Sequence, residues 1–259
     1  MTDKECEVKR KMIQFNDMNT KVGFEKINNK KIFQIFTEPD VSKKKIVIMS
    51  HGFRGSSIGP ARTFVNFEKL LLEKGYSVLR FDQPNCGNSE GEFIDSSFKE
   101  WVDTTTYFTK KYLDLGYKVC LLGQSMGATT TIAVTSRNEV KDKIPCIILW
   151  VPDPESAFDK DPNKINEEEG QKYKELFWKE AFETNFFKNL KEYEGGIHLV
   201  YGENDKYVSQ ELRDETVKEV KEKNQSVMIL KGQGHSPWEY DICNEVYAQE
   251  LNFLEKYFE

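Results

Sequence analysis

Apolar residues in this chain fall into short continuous runs, separated by longer segments in which apolar residues recur at a helical spacing. A short continuous apolar run is typical of a strand that is buried on both faces of a sheet. The runs that predict such strands lie at residues 44–50, 76–82, 118–124, 145–152, 196–202 and 226–232. We expect these strands to form the centre of the fold.

The segments between the runs predict helices. One helix is predicted over residues 60–74, with Pro60 at its start and Gly75 directly after it. Proline is common in the first turn of a helix, and glycine is common just after its last residue. Further helices are predicted over residues 96–116, 126–137, 209–223 and 239–258. Helices of this length between strands supply the crossovers that parallel strands need. The order therefore predicts an α/β fold with a mostly parallel, twisted sheet flanked by helices.

Two parts of the chain depart from this alternation. Near the start, KMIQF and KIFQIFTEP predict antiparallel strands, with polar punctuation at Asn28 and Asn29. Residues 152–194 contain no strand-like run and exceed the ~2–6 residues of a usual βα connection. We predict that this stretch is a small helical lid or cap insertion within one domain that spans residues 1–259, with Glu167–Glu169 as a solvated helix start.

An aromatic stripe within the insertion has two interpretations. Its members fall at a helical spacing and are Phe177, Trp178, Phe182 and Phe186. Such a stripe either fixes the insertion to the main sheet or lines a pocket, and both roles remain open for these side chains.

Composition excludes several classes of protein. The formal net charge is −6 and the pI is near 5.4, with basic residues scattered among acids, whereas a nucleic-acid-binding protein needs a concentrated basic face. No stretch approaches the ~18 apolar residues of a membrane span. The five cysteines show no paired spacing, and Cys120 and Cys146 lie in apolar runs, as is usual in a reducing compartment. We expect a cytoplasmic protein that binds neither nucleic acid nor a membrane.

Residues Gly123–Gly127 read Gly-Gln-Ser-Met-Gly and match the pattern G-x-S-x-G between a predicted strand and a predicted helix. A nucleophilic serine needs a sharp turn that lifts its oxygen clear of the sheet, and glycines on either side remove the Cβ atoms that would collide there. The alternative is a tight turn without chemistry. We predict that Ser125 is a nucleophile.

A serine nucleophile needs a general base, and the chain has three histidines. His198 lies inside an apolar run, which favours a core histidine. His51 begins the loop after the strand at 44–50, and we interpret it as an anchor for that loop. His235 follows the penultimate apolar strand, at the carboxyl end where parallel sheets bind ligands. His235 is therefore the predicted base.

The acid that orients the base should follow another strand and precede the histidine in the chain. Asp205 lies three residues after Gly202, in the loop that follows the strand at 196–202, and is the predicted acid. Asp153, which follows the strand that ends near Val151, is the alternative. The backbone amides of Phe53 and Met126 are the predicted oxyanion hole, with Gly52 allowing close approach to the nucleophile.

Taken together, these features resemble the α/β-hydrolase superfamily over nearly the whole chain, and in particular its bacterial cinnamoyl/feruloyl-esterase-like carboxylesterases. The residues that carry the resemblance are His51-Gly52-Phe53, the stretch LRFDQPNCGNSEGEF, Gly123–Gly127, Asp205 and Gly234-His235. The resemblance implies an α/β-hydrolase fold, ester hydrolysis through an acyl-enzyme, a lid that shapes the acyl pocket, and no cofactor. Where the family usually has glycine in the turn after RFD, this chain has Asn85, which tolerates a positive φ.

We therefore expect a serine carboxylesterase that acts on small to medium acyl esters, aromatic ones included. The same three residues would also serve an amidase, a peptidase or an acyltransferase, and a non-catalytic small-molecule receptor is a third hypothesis. The dispersed histidines predict no metal site. The expected partner is a small-molecule ester, and homodimer formation remains open.

Overall fold

The computed structural model of the chain describes residues 19–154, 158–159 and 161–258. The strands are β1 (Asn19–Ile27), β2 (Lys30–Glu38), β3 (Lys45–Ser50), β4 (Ser77–Phe81), β5 (Lys118–Gln124), β6 (Cys146–Trp150), β7 (Ile165–Glu168), β8 (Gln171–Lys174), β9 (Gly196–Gly202) and β10 (Ser226–Leu230). The α-helices are α1 (Thr63–Glu73), α2 (Phe98–Asp114), α3 (Met126–Thr135), α4 (Leu176–Glu183), α5 (Phe186–Glu192), α6 (Gln210–Glu222) and α7 (Tyr240–Tyr257).

One sheet organises the described residues, with the strand order β1-β2-β4-β3-β5-β6-β9-β10. Every neighbouring pair from β4 to β10 is parallel, whereas β1 pairs with β2, and β2 with β4, in antiparallel fashion. Helices contact the sheet along its length, with α3 against β5, α7 against β6 and α6 against β10. The predicted α/β class, with a mostly parallel sheet flanked by helices, is confirmed.

Burial explains why the central strands read as continuous apolar runs. Val47, Leu121, Ile148 and Leu199 lie on four adjacent parallel strands and are at most 1 % exposed. Helices cover the sheet, so side chains that point to either face are removed from water, which stabilises the fold by about 1.5–3 kcal/mol for each large apolar side chain. The carboxyl ends of these strands consequently lie at one edge of a rigid core.

The N-terminal hairpin confirms the predicted turn. Asn28 and Asn29 connect β1 to β2 with φ angles of 46° and 67°. A two-residue turn with positive φ at both positions suits the twist of a hairpin, and asparagine tolerates it. The strand predicted over KMIQF lies outside the described residues. The strand β1 lies at the edge of the sheet and is largely exposed. Most of its residues are not apolar, and it contains no continuous apolar run.

The insertion between β6 and β9 contains a hairpin as well as helices. The strands β7 and β8 form a two-stranded antiparallel sheet, and α4 and α5 follow it. The prediction that Glu167–Glu169 starts a helix is wrong, because Glu167 and Glu168 belong to β7. Glu169 and Gly170 make the turn with φ angles of 48° and 78°, a conformation that favours glycine and marks a hairpin. The helical part of the prediction corresponds to α4 and α5.

The aromatic stripe of the insertion divides between the two roles that the sequence left open. Phe177 is fully buried and packs against Trp101 of α2, with ring centroids 4.9 Å apart, which attaches the insertion to the main body. Trp178 packs against Phe53, at 4.9 Å, and also lines the cavity described below. Phe182 is 48 % exposed.

None of the helices in the described part of the chain combines the length and the apolar character that a membrane-spanning helix requires.

Candidate active site

Ser125 lies on a strained turn between β5 and α3, with φ 54° and ψ −126°. A serine rarely adopts a positive φ, and the surrounding packing must hold it there. A Cβ atom on Gly123 would overlap the carbonyl of Gly127, and one on Gly127 would overlap the carbonyl of Ser50. The two glycines of the motif therefore allow the turn to pack tightly between strands, which explains why the apolar run stops at Gly123.

The structure brings the three predicted catalytic side chains into one hydrogen-bonded chain. His235 Nε2 lies 2.9 Å from Ser125 Oγ, and His235 Nδ1 lies 2.7 Å from Asp205 Oδ2. Asp205 follows β9 and His235 follows β10, so the carboxyl ends of three parallel strands supply the set. An ionised carboxylate only accepts hydrogen bonds, so the Nδ1 proton points to Asp205 and the Nε2 lone pair faces the serine hydroxyl.

Asp205 is held in its ionised form. Its side chain is buried, and burial alone would raise the pKa of the carboxyl group. The hydrogen bond and charge of His235, together with hydrogen bonds from backbone amides, outweigh that effect and hold the pKa of Asp205 below its ordinary value. Those amides belong to Tyr207 and Val208, which donate to Oδ1 over 2.9 Å and 3.1 Å. A fixed negative charge therefore faces His235.

His51 anchors the loop after β3, as the sequence predicted. Its Nε2 accepts a hydrogen bond from the Gln83 amide over 2.9 Å, so the remaining proton lies on Nδ1 and points to the Gly52 carbonyl, 2.8 Å away. Burial lowers the pKa of His51, and this outweighs the Gly52 hydrogen bond and the charge of Asp82, which raise it. The neutral, fully buried imidazole thus joins two loops.

Gly52 brings this loop against Ser125, the predicted nucleophile. A Cβ atom on Gly52 would lie 2.7 Å from Gln124 Oε1 and 2.9 Å from Ser125 Cβ, so only glycine fits without displacement. Phe53 and Met126, the predicted oxyanion-hole residues, line the same cavity as Ser125. Within the described residues, neither of their amides makes a backbone hydrogen bond outside the regular helices and strands. Their role as oxyanion donors stays a prediction.

Gln124 is a site residue that the sequence reasoning missed. Its side-chain Oε1 accepts from the Gly52 amide over 3.1 Å, and its Nε2 donates to Ser236 Oγ over 3.0 Å. The side chain is 6 % exposed and connects the loop of Phe53 to the loop of His235 across the nucleophile turn. Gln124 occupies a position of the G-x-S-x-G motif that is not restricted to one residue type, so the motif does not mark it as functional. Its side-chain amide, which can both donate and accept hydrogen bonds, was the one feature of the sequence that indicated such a role.

The turn after β4 contains Asn85, which stands where the hydrolase family that the sequence resembles usually has glycine. Asn85 adopts a φ of 66°. The buried Asp82 carboxylate holds the turn, because it accepts hydrogen bonds from the amides of Ser57, over 2.6 Å, and Asn88, over 2.7 Å. The tolerance of asparagine for positive φ therefore accounts for the departure.

The two rival candidates occupy other positions. Asp153 lines the same cavity as Ser125, but the carboxylate that contacts His235 is Asp205. His198 lies within β9, and its Nδ1 is 2.7 Å from Glu250 Oε2 in the core, consistent with the interpretation as a core histidine. No group of histidine, cysteine, aspartate and glutamate in the described ranges has an arrangement that could hold a metal ion.

A cavity of about 790 Å³ opens at Ser125 and His235. The insertion supplies part of its wall through Glu168, Gln171 and Trp178, and Tyr207 lines it next to the Asp205 loop. A cavity of this volume accommodates a small-molecule substrate. Ser125, His235 and the insertion therefore meet at one cavity.

Comparison with known proteins identifies the family. A sequence model of the α/β hydrolase fold family matches residues 45–176. The chain belongs to this family. The match includes the Ser125 turn and the Phe53 loop, and it ends before Asp205 and His235.

Several solved structures share the fold. Est1E from Butyrivibrio proteoclasticus with ferulic acid bound has a TM-score of 0.79 and 21 % identity, covering 91 % of this chain and 98 % of that protein. An esterase from Pyrococcus furiosus has a TM-score of 0.68 and 21 % identity, covering 93 % and 92 % of the two chains. A monoacylglycerol lipase from Paleococcus ferrophilus has a TM-score of 0.69 and 18 % identity, covering 87 % and 99 %. No curated protein matches the chain in a sequence comparison.

Proposed function

We propose that the protein is a serine carboxylesterase that hydrolyses small to medium acyl esters through an acyl-enzyme. The observation that carries the proposal is the continuous hydrogen-bond chain from Ser125 Oγ through His235 to the Asp205 carboxylate, placed at the mouth of a cavity. Serine at its ordinary pKa is a poor nucleophile, and an adjacent base that is itself oriented by a carboxylate activates it.

In the acylation step, Ser125 Oγ forms a bond to the ester carbonyl carbon while its proton passes to His235 Nε2. The negative charge that develops on the carbonyl oxygen is stabilised by the amides of Phe53 and Met126 and by the N-terminal end of α3. Asp205 stabilises the imidazolium that forms. As the tetrahedral intermediate collapses, the ester C–O bond breaks, and the leaving alcohol takes the proton from His235.

Deacylation repeats these steps with water. His235 removes a proton from the water molecule that attacks the acyl carbon, and the bond to Ser125 Oγ breaks as His235 returns the proton to that oxygen. The carboxylic acid product then leaves and the free enzyme is restored. The chemistry requires no cofactor.

The insertion of residues 152–194 acts in this proposal as a lid on a single catalytic domain. Trp178 and Glu168 of the insertion line the cavity together with Ser125, which supports a role in shaping the acyl pocket. The aromatic side chains of Phe53, Trp178 and Tyr207 in the cavity wall support the acceptance of aromatic esters. Est1E, a similar structure, binds ferulic acid.

Replacement of the nucleophile tests the proposal. In Ser125→Ala, we expect the turnover of p-nitrophenyl acetate and p-nitrophenyl butyrate to fall by about 10⁴-fold or more, because acyl-enzyme formation requires the hydroxyl. The matched control is Ser136→Ala, at the exposed end of α3, which should keep wild-type turnover. Unchanged turnover in a folded Ser125→Ala variant would refute the assignment.

Matched ester and amide substrates distinguish the related activities. An esterase hydrolyses the ester much faster than the amide of the same acyl group, whereas an amidase or peptidase retains substantial amide turnover. Product formation that depends on an added alcohol instead of water would identify an acyltransferase. Tight ligand binding without turnover would favour the receptor hypothesis.

A further inference from the structure

Arg54 is a largely buried cation next to the proposed catalytic machinery. It directly follows Phe53 in the loop after β3 and lines the same cavity as Ser125. Its side chain is 15 % exposed, and its backbone φ is 59°. Of the described side chains that line this cavity, Arg54 is the one with a permanent positive charge. The loop that supplies the proposed oxyanion donor therefore also places a guanidinium in the cavity wall.

The partners of this guanidinium are two acids at the tip of the β7–β8 hairpin. Arg54 Nη2 donates to Glu168 Oε1 over 3.2 Å, and Nη1 lies 3.5 Å from Glu169 Oε2. The Glu168 and Glu169 side chains are 43 % and 70 % exposed. Nη1 is buried and donates no hydrogen bond within the described residues. The charge of Arg54 is thus balanced by solvent-exposed carboxylates that do not use its full hydrogen-bonding capacity.

A buried charged donor without a hydrogen bond carries a desolvation cost. A guanidinium presents its donors in a planar fork, which suits a carboxylate bound through both oxygens. A carboxylate that occupied both Nη1 and Nη2 would remove the unsatisfied donor. The contacts of Glu168 and Glu169 show that carboxylate oxygens reach this group in the fold.

A second cavity explains how a ligand could take the place of the glutamates. This cavity, of about 500 Å³, lies beside the active-site cavity and shares Arg54, Gly55, Gly87 and Gln171 with it. The hairpin turn contributes to its wall through Gly170 and Gln171. Arg54 and the hairpin tip thus stand at the boundary of two spaces, and a small displacement of the tip would expose the guanidinium to both.

We propose that Arg54 binds a carboxylate group of the substrate in place of Glu168 and Glu169, so that the enzyme prefers esters whose acyl or alcohol part carries a free carboxylate. The inference rests on the proposed esterase function and specifies its substrate class. Glu168 and Glu169 then hold the hairpin tip over Arg54 until such a substrate displaces them. The main alternative outcome is a preference for positively charged substrates, because Asp153 lines the cavity together with these two glutamates.

Pairs of esters that differ only in charge test the proposal. On the acyl side, mono-4-nitrophenyl glutarate is compared with its neutral methyl ester, and on the alcohol side 4-acetoxybenzoate is compared with 4-acetoxybenzamide. We measure kcat and KM for each pair in wild type, Arg54→Gln, the double variant Glu168→Gln/Glu169→Gln, and Lys69→Gln. Lys69 is an exposed cation on α1, so this control changes net charge by the same amount outside both cavities.

We expect Arg54→Gln to lower kcat/KM for the anionic member of at least one pair by about 10-fold or more, mainly through KM, because a charge-assisted hydrogen bond is lost. Turnover of the neutral member should fall much less than turnover of the anionic member, and Lys69→Gln should leave both unchanged. The double glutamate variant should lower the KM of the same anionic ester, because the competing carboxylates are gone. Comparing variants on one pair cancels the intrinsic reactivity of the two esters.

Equal effects of Arg54→Gln on both members of both pairs would overturn the proposal. A preference for cationic esters such as acetylcholine over neutral ones in wild type would also overturn it and would assign the cavity acids the dominant role. Turnover of neutral p-nitrophenyl acetate by wild type, and its loss in Ser125→Ala, separates these outcomes from failure of the esterase function.

Discussion

Two histidine–carboxylate pairs lie in the described part of the chain, with the same 2.7 Å distance from Nδ1 to the carboxylate oxygen. His235 and Asp205 lie in loops after β10 and β9, and His235 Nε2 faces Ser125 Oγ at the cavity. His198 and Glu250 lie within β9 and α7, in the core. The distance from histidine to carboxylate is therefore the same in the two pairs, and their surroundings differ.

In each pair, the carboxylate oxygen that does not contact the histidine has different partners. In Asp205 it accepts two backbone amides, which fixes the acid in a loop. In Glu250 it accepts the indole N–H of Trp150 over 2.8 Å, so the pair joins β6, β9 and α7 in the interior. Burial alone would lower the pKa of His198, but the charge and hydrogen bond of Glu250 outweigh it and raise that pKa. One pair faces Ser125 at the cavity, and the other stabilises packing in the core.

The largest expected difference between the two pairs is in their effect on catalytic turnover. His235→Asn should lower the turnover of p-nitrophenyl butyrate by about 10⁴-fold or more, because the general base is lost. His198→Asn, measured at a temperature where it stays folded, should keep turnover within about threefold of wild type. Comparable losses in the two variants would show that the core pair also contributes to catalysis.

The next effect separates them by stability. Glu250→Gln should lower the free energy of unfolding by about 3 kcal/mol, because it leaves a buried imidazole and its partners without the charge that pairs them. Asp205→Asn, at the edge of the sheet, should lower it by much less while strongly reducing turnover. Urea denaturation followed by circular dichroism measures both, and equal stability losses would contradict the comparison.

Gln124 offers a smaller test of how the active pair is positioned. Gln124→Met keeps the side-chain length but removes the hydrogen bonds to Gly52 and Ser236, so we expect kcat to fall about 10-fold with KM nearly unchanged. Ser236→Ala should have a smaller effect, and the double variant should be no worse than Gln124→Met, because the two residues act through one contact. Strictly additive losses would argue against that contact.

The smallest expected effect is a pH dependence of stability. The folded-state pKa of His198 lies above the ordinary 6.5, so its contribution is complete below pH 6.5 and is lost as the pH rises through the folded-state value. The difference in unfolding free energy between wild type and His198→Asn should therefore shrink as the pH rises above 6.5, by at most about 1.4 kcal/mol per pH unit.

Asp205 should behave in the opposite sense. Its pKa is lowered from 3.8, so its contribution is complete above pH 3.8 and is lost as the pH falls through the folded-state value. The stability difference between wild type and Asp205→Asn should stay constant between pH 7 and 9. Denaturation curves across pH 3–9 for the two variants measure both slopes, and a parallel response above neutral pH would contradict the assignment.

Sequence patterns predicted the central sheet well because burial on both faces produces an unbroken apolar run. The strands at 118–124 and 196–202 have the same bounds in the structure as in the prediction. The order of Ser125, Asp205 and His235 was also readable, since each follows an apolar strand in a turn-rich segment. The three side chains meet because parallel strands bring their carboxyl ends to one edge.

The hairpin of the insertion and the bridge of Gln124 were not predicted. The strands β7 and β8 are charged and partly exposed, so no apolar alternation marks them, and the sign of the hairpin was Gly170 after Glu169. Gln124 acts through tertiary contacts with loops distant in sequence, which a local pattern does not encode. The same holds for the pairing of Arg54 with the hairpin tip.

Covalent labelling of Ser125 is the most direct test of whether this serine is an activated nucleophile. Intact-protein mass spectrometry after treatment with a fluorophosphonate probe measures whether a serine oxygen is activated. We expect a single adduct on wild type, no adduct on Ser125→Ala or His235→Asn, and a normal adduct on His198→Asn. A well-folded wild-type protein that forms no adduct, or one whose adduct persists in Ser125→Ala, would contradict it.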